Sequence, residues 1–373
     1  MHRPLLWPGA TLCLCAAIWW GSPLPRWWRA ADFLHSLSKA HAPGVTRAAP
    51  AAEVGTQEEW TFAGASGSIR ARLYRPSGVP RASLVVAHGG HYHGIDERRL
   101  VHFCRELARK GVQVVTPELT DLTQYRISPQ GVSIIADAVS ALGARADLPQ
   151  TRRVGLIGFS FAGGLALVAA AHPQVQSRLS FVVSVGGHHD LERVLDFFLH
   201  DRIVTPAGPR ALRAHDYGLV ILVLANLRRF VPEDDIVVMH NALLAWLHED
   251  RPRALAWASQ SESYQSELLW TSLEKQKLAV FAPALEAIVR EQRHELLQLS
   301  PRGRLRQLRV PVYLLHGSAD SVIPPSETEW AALELRDRPH RALVSPLLEH
   351  VEVNRQAGFG DSWALVRFMT HLL

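Results

Sequence analysis

Cysteine is nearly absent. The chain has three in 373 residues: Cys13 and Cys15 lie in one apolar N-terminal run, and Cys104 lies in a stretch of helical spacing. An odd, sparse set cannot form a disulfide framework, and it lacks the paired spacing of a structural zinc site. Cys104 reads as a small buried hydrophobe. Blocks of like charge are missing too. The formal net charge is +5, but its basic residues, mostly arginine, are scattered. No run of five basic residues and no basic stretch interleaved with aromatics occurs, which argues against nucleic-acid binding. There is no internal repeat. The apolar run Leu5–Trp20 is shorter than the roughly 20 residues usual for a spanning helix.

What is present is a large supply of core. Hydrophobic residues make up 47% and charged residues 20% of the chain, a globular composition with no sign of disorder. The Leu5–Trp20 run follows His2 and Arg3 and ends at Pro23, Pro25 and Arg26. It reads as an export signal or a short membrane anchor. Trp19, Trp20, Trp27 and Trp28 stand at its outer end, where indoles favour a membrane interface. We therefore expect residues 1–30 to be a signal or anchor segment, giving a membrane-associated or exported protein rather than a cytoplasmic one. Ala40–Thr56, rich in Ala and Pro, marks a linker over 31–57.

Beyond the linker the pattern is strand, helix, strand. Trp60–Ala63 and Ile69–Tyr74 flank a turn, and Leu84–Ala87, Val112–Thr116, Val154–Ile157 and Phe181–Val185 are short buried strands. Asp96–Lys110 and Ser128–Ala144 have helical spacing, with Gly111 and Pro129 in stop and start positions. This predicts an α/β fold with a mostly parallel, doubly wound sheet. The rhythm breaks over 191–308, which is helical by pattern and includes the apolar Leu219–Leu224. Strand signals return at Val312–Leu315 and near Ala342–Ser345, with helices at Glu327–Leu335 and after Asp361. The expected division is a core first part at 58–190, a helical cap at 191–308 and a core second part at 309–373.

Four short motifs carry the chemistry. Gly158-Phe159-Ser160-Phe161-Ala162-Gly163-Gly164 joins a strand to a helix, and a serine on so tight a turn is pushed above the sheet. His88-Gly89-Gly90-His91 follows another strand, where backbone N–H groups can come close to a substrate oxygen. Leu314-Leu315-His316-Gly317-Ser318-Ala319-Asp320 ends a strand in a small-residue turn that presents a carboxylate. Glu349-His350 precedes the final helix. Each motif lies at the C-terminal end of a strand, the edge where ligands gather on open α/β sheets.

Together these motifs resemble the α/β-hydrolase superfamily, serine esterases and lipases among them, over residues 58–373. Ala162 stands where the family most often has glycine. The resemblance implies Ser160 as nucleophile, His350 as general base and Asp320 as its orienting acid. It implies an oxyanion hole from the N–H groups of Gly90, with His91 as an alternative, and Phe161. Asp190, after Gly186-Gly187-His188-His189, is a second candidate for the acid. His91, His93, His188 and His189 all sit at strand ends but lack ligand spacing, and read as polar residues of a cleft. No cofactor and no metal are implied. The implied reaction is hydrolysis of an apolar ester or similar acyl compound through an acyl-serine. A peptidase or amidase with the same triad, or a catalytically silent binding protein on the same fold, are the alternatives.

Overall fold

The computed structural model describes residues 24–39, 55–65, 67–145, 153–276, 278–349, 352–353 and 358–371. His350 and the apolar run Leu5–Trp20 lie outside these residues.

Eight strands form one sheet: β1 (Gln57–Gly64), β2 (Gly67–Tyr74), β3 (Ala82–Ala87), β4 (Val112–Pro117), β5 (Val154–Phe159), β6 (Leu179–Val185), β9 (Val312–Gly317) and β10 (His340–Ser345). Their order is β1-β2-β4-β3-β5-β6-β9-β10. β1 and β2 form an antiparallel hairpin, β2 runs antiparallel to β4, and the other pairs are parallel. Every strand expected from the sequence lies within one of these. Along β3 the side chains alternate between the two cores, Leu84 and Val86 on one face and Val85 and Ala87 on the other, as the pleat requires. With both faces covered, the central strands read as unbroken apolar runs.

Helix α1 (Leu24–Lys39), α2 (Arg98–Arg109) and α13 (Phe359–Met369) contribute to one face; α3 (Pro129–Gly143), α4 (Phe161–Ala171) and α12 (Ser326–Glu334) contribute to the other. Glu97 caps α2, its carboxylate accepting from the Leu100 N–H at 2.8 Å, and Gly111 ends it with φ +81°. Only glycine takes that conformation without strain.

Residues 24–39 differ from expectation. In place of the outer end of an anchor and the start of a linker, they form one helix docked on the core. Ala30 and Phe33 are fully buried. Phe33 meets Phe103 edge-on at 5.6 Å, Trp27 packs on Trp363, and Asp32 pairs with Lys110. The tryptophans and prolines that suggest an interface also suit an amphipathic helix start, and composition does not separate the two. Beneath α1 and α13 lies an apolar cavity of about 110 Å³ lined by residues such as Phe33, Leu37, Phe103, Leu315 and Leu365. Phe33→Ala should therefore cost about 3–5 kcal/mol, the usual penalty for emptying a fully buried aromatic site. Denaturant unfolding of the two proteins measures it, and a loss under 1 kcal/mol would mean that α1 is not part of the folded core.

The inserted segment 191–308 holds α5 (Leu191–His200), α6 (Asp216–Ala225), α7 (Ile236–Leu247), α8 (Arg251–Ala258), α9 (Tyr264–Glu274), α10 (Ala282–Glu291) and α11 (Arg293–Leu299). It is not wholly helical. Strands β7 (Arg202–Thr205) and β8 (Gly208–Ala211) form a hairpin. Gly208 at φ +122° and the Thr205 hydroxyl, bonded to the Gly208 carbonyl at 2.8 Å, close its turn. The run Leu219–Leu224 faces inward, with Leu219, Val220, Leu222 and Val223 buried.

Candidate active site

Ser160 sits between β5 and α4 with φ 54° and ψ −133°. A non-glycine residue in this region is strained, and such strain persists only where the surroundings enforce it. Here the Ser160 N–H donates to the Val185 carbonyl at 2.8 Å, and its own carbonyl accepts from the Gly163 N–H at 2.8 Å. Small neighbours make the turn possible: a Cβ on Gly158 would lie 2.3 Å from the Ala162 carbonyl oxygen, and one on Gly163 2.6 Å from the Ser184 hydroxyl. Phe161, as the first residue of α4, has an N–H with no intrahelical acceptor.

The Gly89-Gly90 turn runs beside Ser160. A Cβ on Gly89 would stand 3.1 Å from the serine Cβ and 3.8 Å from its Oγ. Among the described residues the Gly90 N–H has no backbone acceptor. His88 holds this turn from below. Its Nδ1–H donates to the Gly89 carbonyl at 2.8 Å, and its Nε2 accepts from the Leu119 N–H at 2.9 Å. Burial pushes its pKa down to about 4, so it stays neutral and structural near pH 7.

Asp320 is buried in the turn after β9. Its Oδ1 accepts from the N–H groups of Val322 at 2.9 Å and Ile323 at 3.0 Å. Its Oδ2 lies 3.3 Å from Nε2 of His316. The carbonyl of Ile323, also 2.8 Å from Nε2, can only accept, so Nε2 carries the proton. The Thr328 hydroxyl then donates to Nδ1 at 2.8 Å. Two backbone donors thus hold Oδ1, and Asp320 takes part in further interactions beyond these.

The rival carboxylate is otherwise engaged. Asp190 caps α5, accepting from the Glu192 N–H at 3.0 Å, and pairs with Arg302 at 2.7 Å. The four strand-end histidines divide. His91 and His93 lie together, ring centres 5.3 Å apart. His188 donates to the Leu299 carbonyl at 3.0 Å, and His189 bonds to Glu334 at 2.7 Å. Among the described residues no group of three or more His, Cys, Asp or Glu side chains could hold a metal ion.

A cavity of about 300 Å³ lies between the core and α5, α6 and α11; it reaches the serine turn at Phe161, the residue after Ser160. Phe161, Leu191, Leu195, Phe198, Ile221 and Leu222 form its apolar walls, and Asp121, Arg126, Gln292 and Glu295 supply its polar groups. Sequence reading missed three residues here: Tyr217, His215 and His316. The two cap residues belong to no motif, and His316 was read only as part of the strand leading to Asp320.

Among solved structures the fold recurs. Puromycin hydrolase is 16% identical, with a TM-score of 0.50 over 87% of this chain and 39% of that one. This is the α/β-hydrolase fold. An acylaminoacyl peptidase from Pyrococcus horikoshii is 12% identical, with a TM-score of 0.50 over 85% of this chain and 41% of its own. The chain spans about 40% of the length of these relatives. An esterase from Pyrobaculum calidifontis is 18% identical over 100% of this chain and 95% of its own, at a TM-score of 0.45. No protein-family model matches the chain, and no curated protein matches it. Among the described residues no helix is long and apolar enough to cross a membrane.

Proposed function

We propose that this α/β-hydrolase-fold protein is a serine hydrolase acting on an apolar ester or similar acyl compound. Ser160, Asp320 and His350 are its triad, and the N–H groups of Gly90 and Phe161 are its oxyanion hole. The observation that carries this reading is the strained Ser160 (φ 54°) beside the Gly89-Gly90 turn, since that strain has no purpose in a turn that only connects two elements. In the proposed reaction Ser160 Oγ attacks the substrate carbonyl while His350 takes its proton. The resulting oxyanion is held by the two N–H groups. Its collapse breaks the bond to the leaving alcohol, which receives the proton from His350. Water then repeats the cycle and releases the acid. Asp320 keeps the imidazole in the correct tautomer and stabilises its charged form.

The apolar cavity favours acyl chains. A volume of about 300 Å³ would hold on the order of ten water-sized groups, and each buried CH₂ contributes roughly 0.8 kcal/mol. Amide cleavage is the second reading. It rests on the fold relatives, an acylaminoacyl peptidase and a puromycin hydrolase. The N-terminal apolar run, in this proposal, directs the protein to or across a membrane.

A fluorophosphonate should label the protein at Ser160, and p-nitrophenyl ester hydrolysis should rise in kcat/KM from acetate to octanoate. A flat or falling profile would remove the apolar acyl pocket from the proposal. Cleavage of acyl-amides with no ester hydrolysis would favour the second reading. No labelling at all would favour a silent binding protein.

A further inference from the structure

The start of α6 touches two of the loops around the site. The Tyr217 phenol donates to the Gly90 carbonyl at 3.1 Å, and the His215 N–H donates to the Ser321 carbonyl at 2.8 Å. Gly90 belongs to the turn beside Ser160, and Ser321 follows Asp320. The His215 side chain caps the same helix, its Nδ1 accepting from the Tyr217 N–H at 3.2 Å. One helix start therefore joins the oxyanion turn to the acid turn. Tyr217 is itself held edge-on by Tyr125, ring centres 5.8 Å apart. Burial raises the Tyr217 phenol well above the ordinary tyrosine range, so it remains a donor throughout the working pH range.

Further along α6, Ile221, Leu222 and Ala225 line the large cavity. A chain filling that cavity presses on the helix whose first turn grips Gly90. Because a peptide unit is planar, holding the Gly90 carbonyl fixes the Gly90–His91 peptide and the His91 N–H within it, and restrains the adjoining Gly90 N–H through the shared Cα.

We propose that α6 couples the acyl pocket to the oxyanion turn, with Tyr217 as the positioning residue. The inference rests on the hydrolase reading given above. An acyl chain packed on Ile221 and Leu222 steadies α6, and Tyr217 passes that constraint to Gly90. Part of the chain's binding energy then appears in kcat rather than in KM, because it aligns groups that act only in the transition state.

The test compares wild type with Tyr217→Phe on p-nitrophenyl esters from butyrate to decanoate. Phenylalanine keeps the ring and removes one hydroxyl. For the longer chains kcat should fall roughly 10- to 100-fold, somewhat less than for loss of a direct oxyanion donor. KM should stay within about threefold, and the rise of kcat with chain length should flatten. An unchanged kcat, an effect on KM alone, or an equal fall at every chain length would each overturn the coupling. Ile221→Ala supplies a second route. It should lower kcat for long chains in the wild type and have little added effect in the Tyr217→Phe background, and additive effects would also overturn the coupling. Fluorophosphonate labelling of the wild type separates the two claims. Without it the hydrolase reading fails; with it, an inert Tyr217→Phe removes only the coupling.

Discussion

Ser160→Ala is expected to abolish fluorophosphonate labelling and to lower turnover by about 10⁴- to 10⁶-fold, the range found on losing a triad nucleophile. The fold should survive. The turn is held by the backbone of Ser160, through its 2.8 Å bonds to Val185 and Gly163, and by the closeness of Gly158 to Ala162. A methyl in place of the hydroxymethyl disturbs none of these. Equal melting temperatures with lost labelling identify the nucleophile. Labelling that persisted would move the nucleophile elsewhere, and Ser318, an exposed serine in the turn before Asp320, would be substituted next.

Asp320→Asn should lower kcat by about 10⁴, as the same change does in a serine-protease triad, while Asp190→Asn should stay within about tenfold of wild type. The reason lies in what surrounds each carboxylate. Oδ1 of Asp320 accepts from two backbone N–H groups, and Oδ2 lies 3.3 Å from Nε2 of His316. An amide can keep its oxygen toward the two backbone N–H groups, but it loses the charge that stabilises an imidazolium and puts an N–H in place of the second acceptor. Asparagine at 190 can still cap α5, and it forfeits an ion pair to Arg302, whose side chain is 57% exposed. Steady-state kinetics on both variants, with melting temperatures as a folding control, rank the two. The reverse ranking would transfer the acid's role to the strand preceding Asp190.

The elbow was legible because its requirement is local. Gly158, Ala162 and Gly163 are small within a few residues of Ser160, and the strand before and the helix after are set by apolar spacing. The same holds for Asp320, where the strand, the small-residue turn and the carboxylate are contiguous. The β7–β8 hairpin was passed over because four-residue strands carry almost no periodicity, although Pro206 and Gly208 mark its turn. Helix α1 was misread for a different reason. Its tryptophans, prolines and arginines satisfy the composition of a membrane-interface segment and of an amphipathic helix equally well. What separates these is the face offered by α2 and α13, and α13 lies at the other end of the chain.

By itself the sequence determined the α/β alternation, the two strands that flank the first turn and the elbow around Ser160. All of these follow from hydrophobic period and from backbone sterics acting over a few residues. Only the tertiary structure decided which carboxylate was engaged elsewhere, which strand-end histidines stood together, and that Tyr217 meets Gly90. The contacts of Asp190 with Arg302 and of Tyr217 with Gly90 join residues more than 100 positions apart. They depend on how the cap seats on the sheet, and that seating is set by burial of large apolar faces, a force with no preferred partner until the elements are packed together.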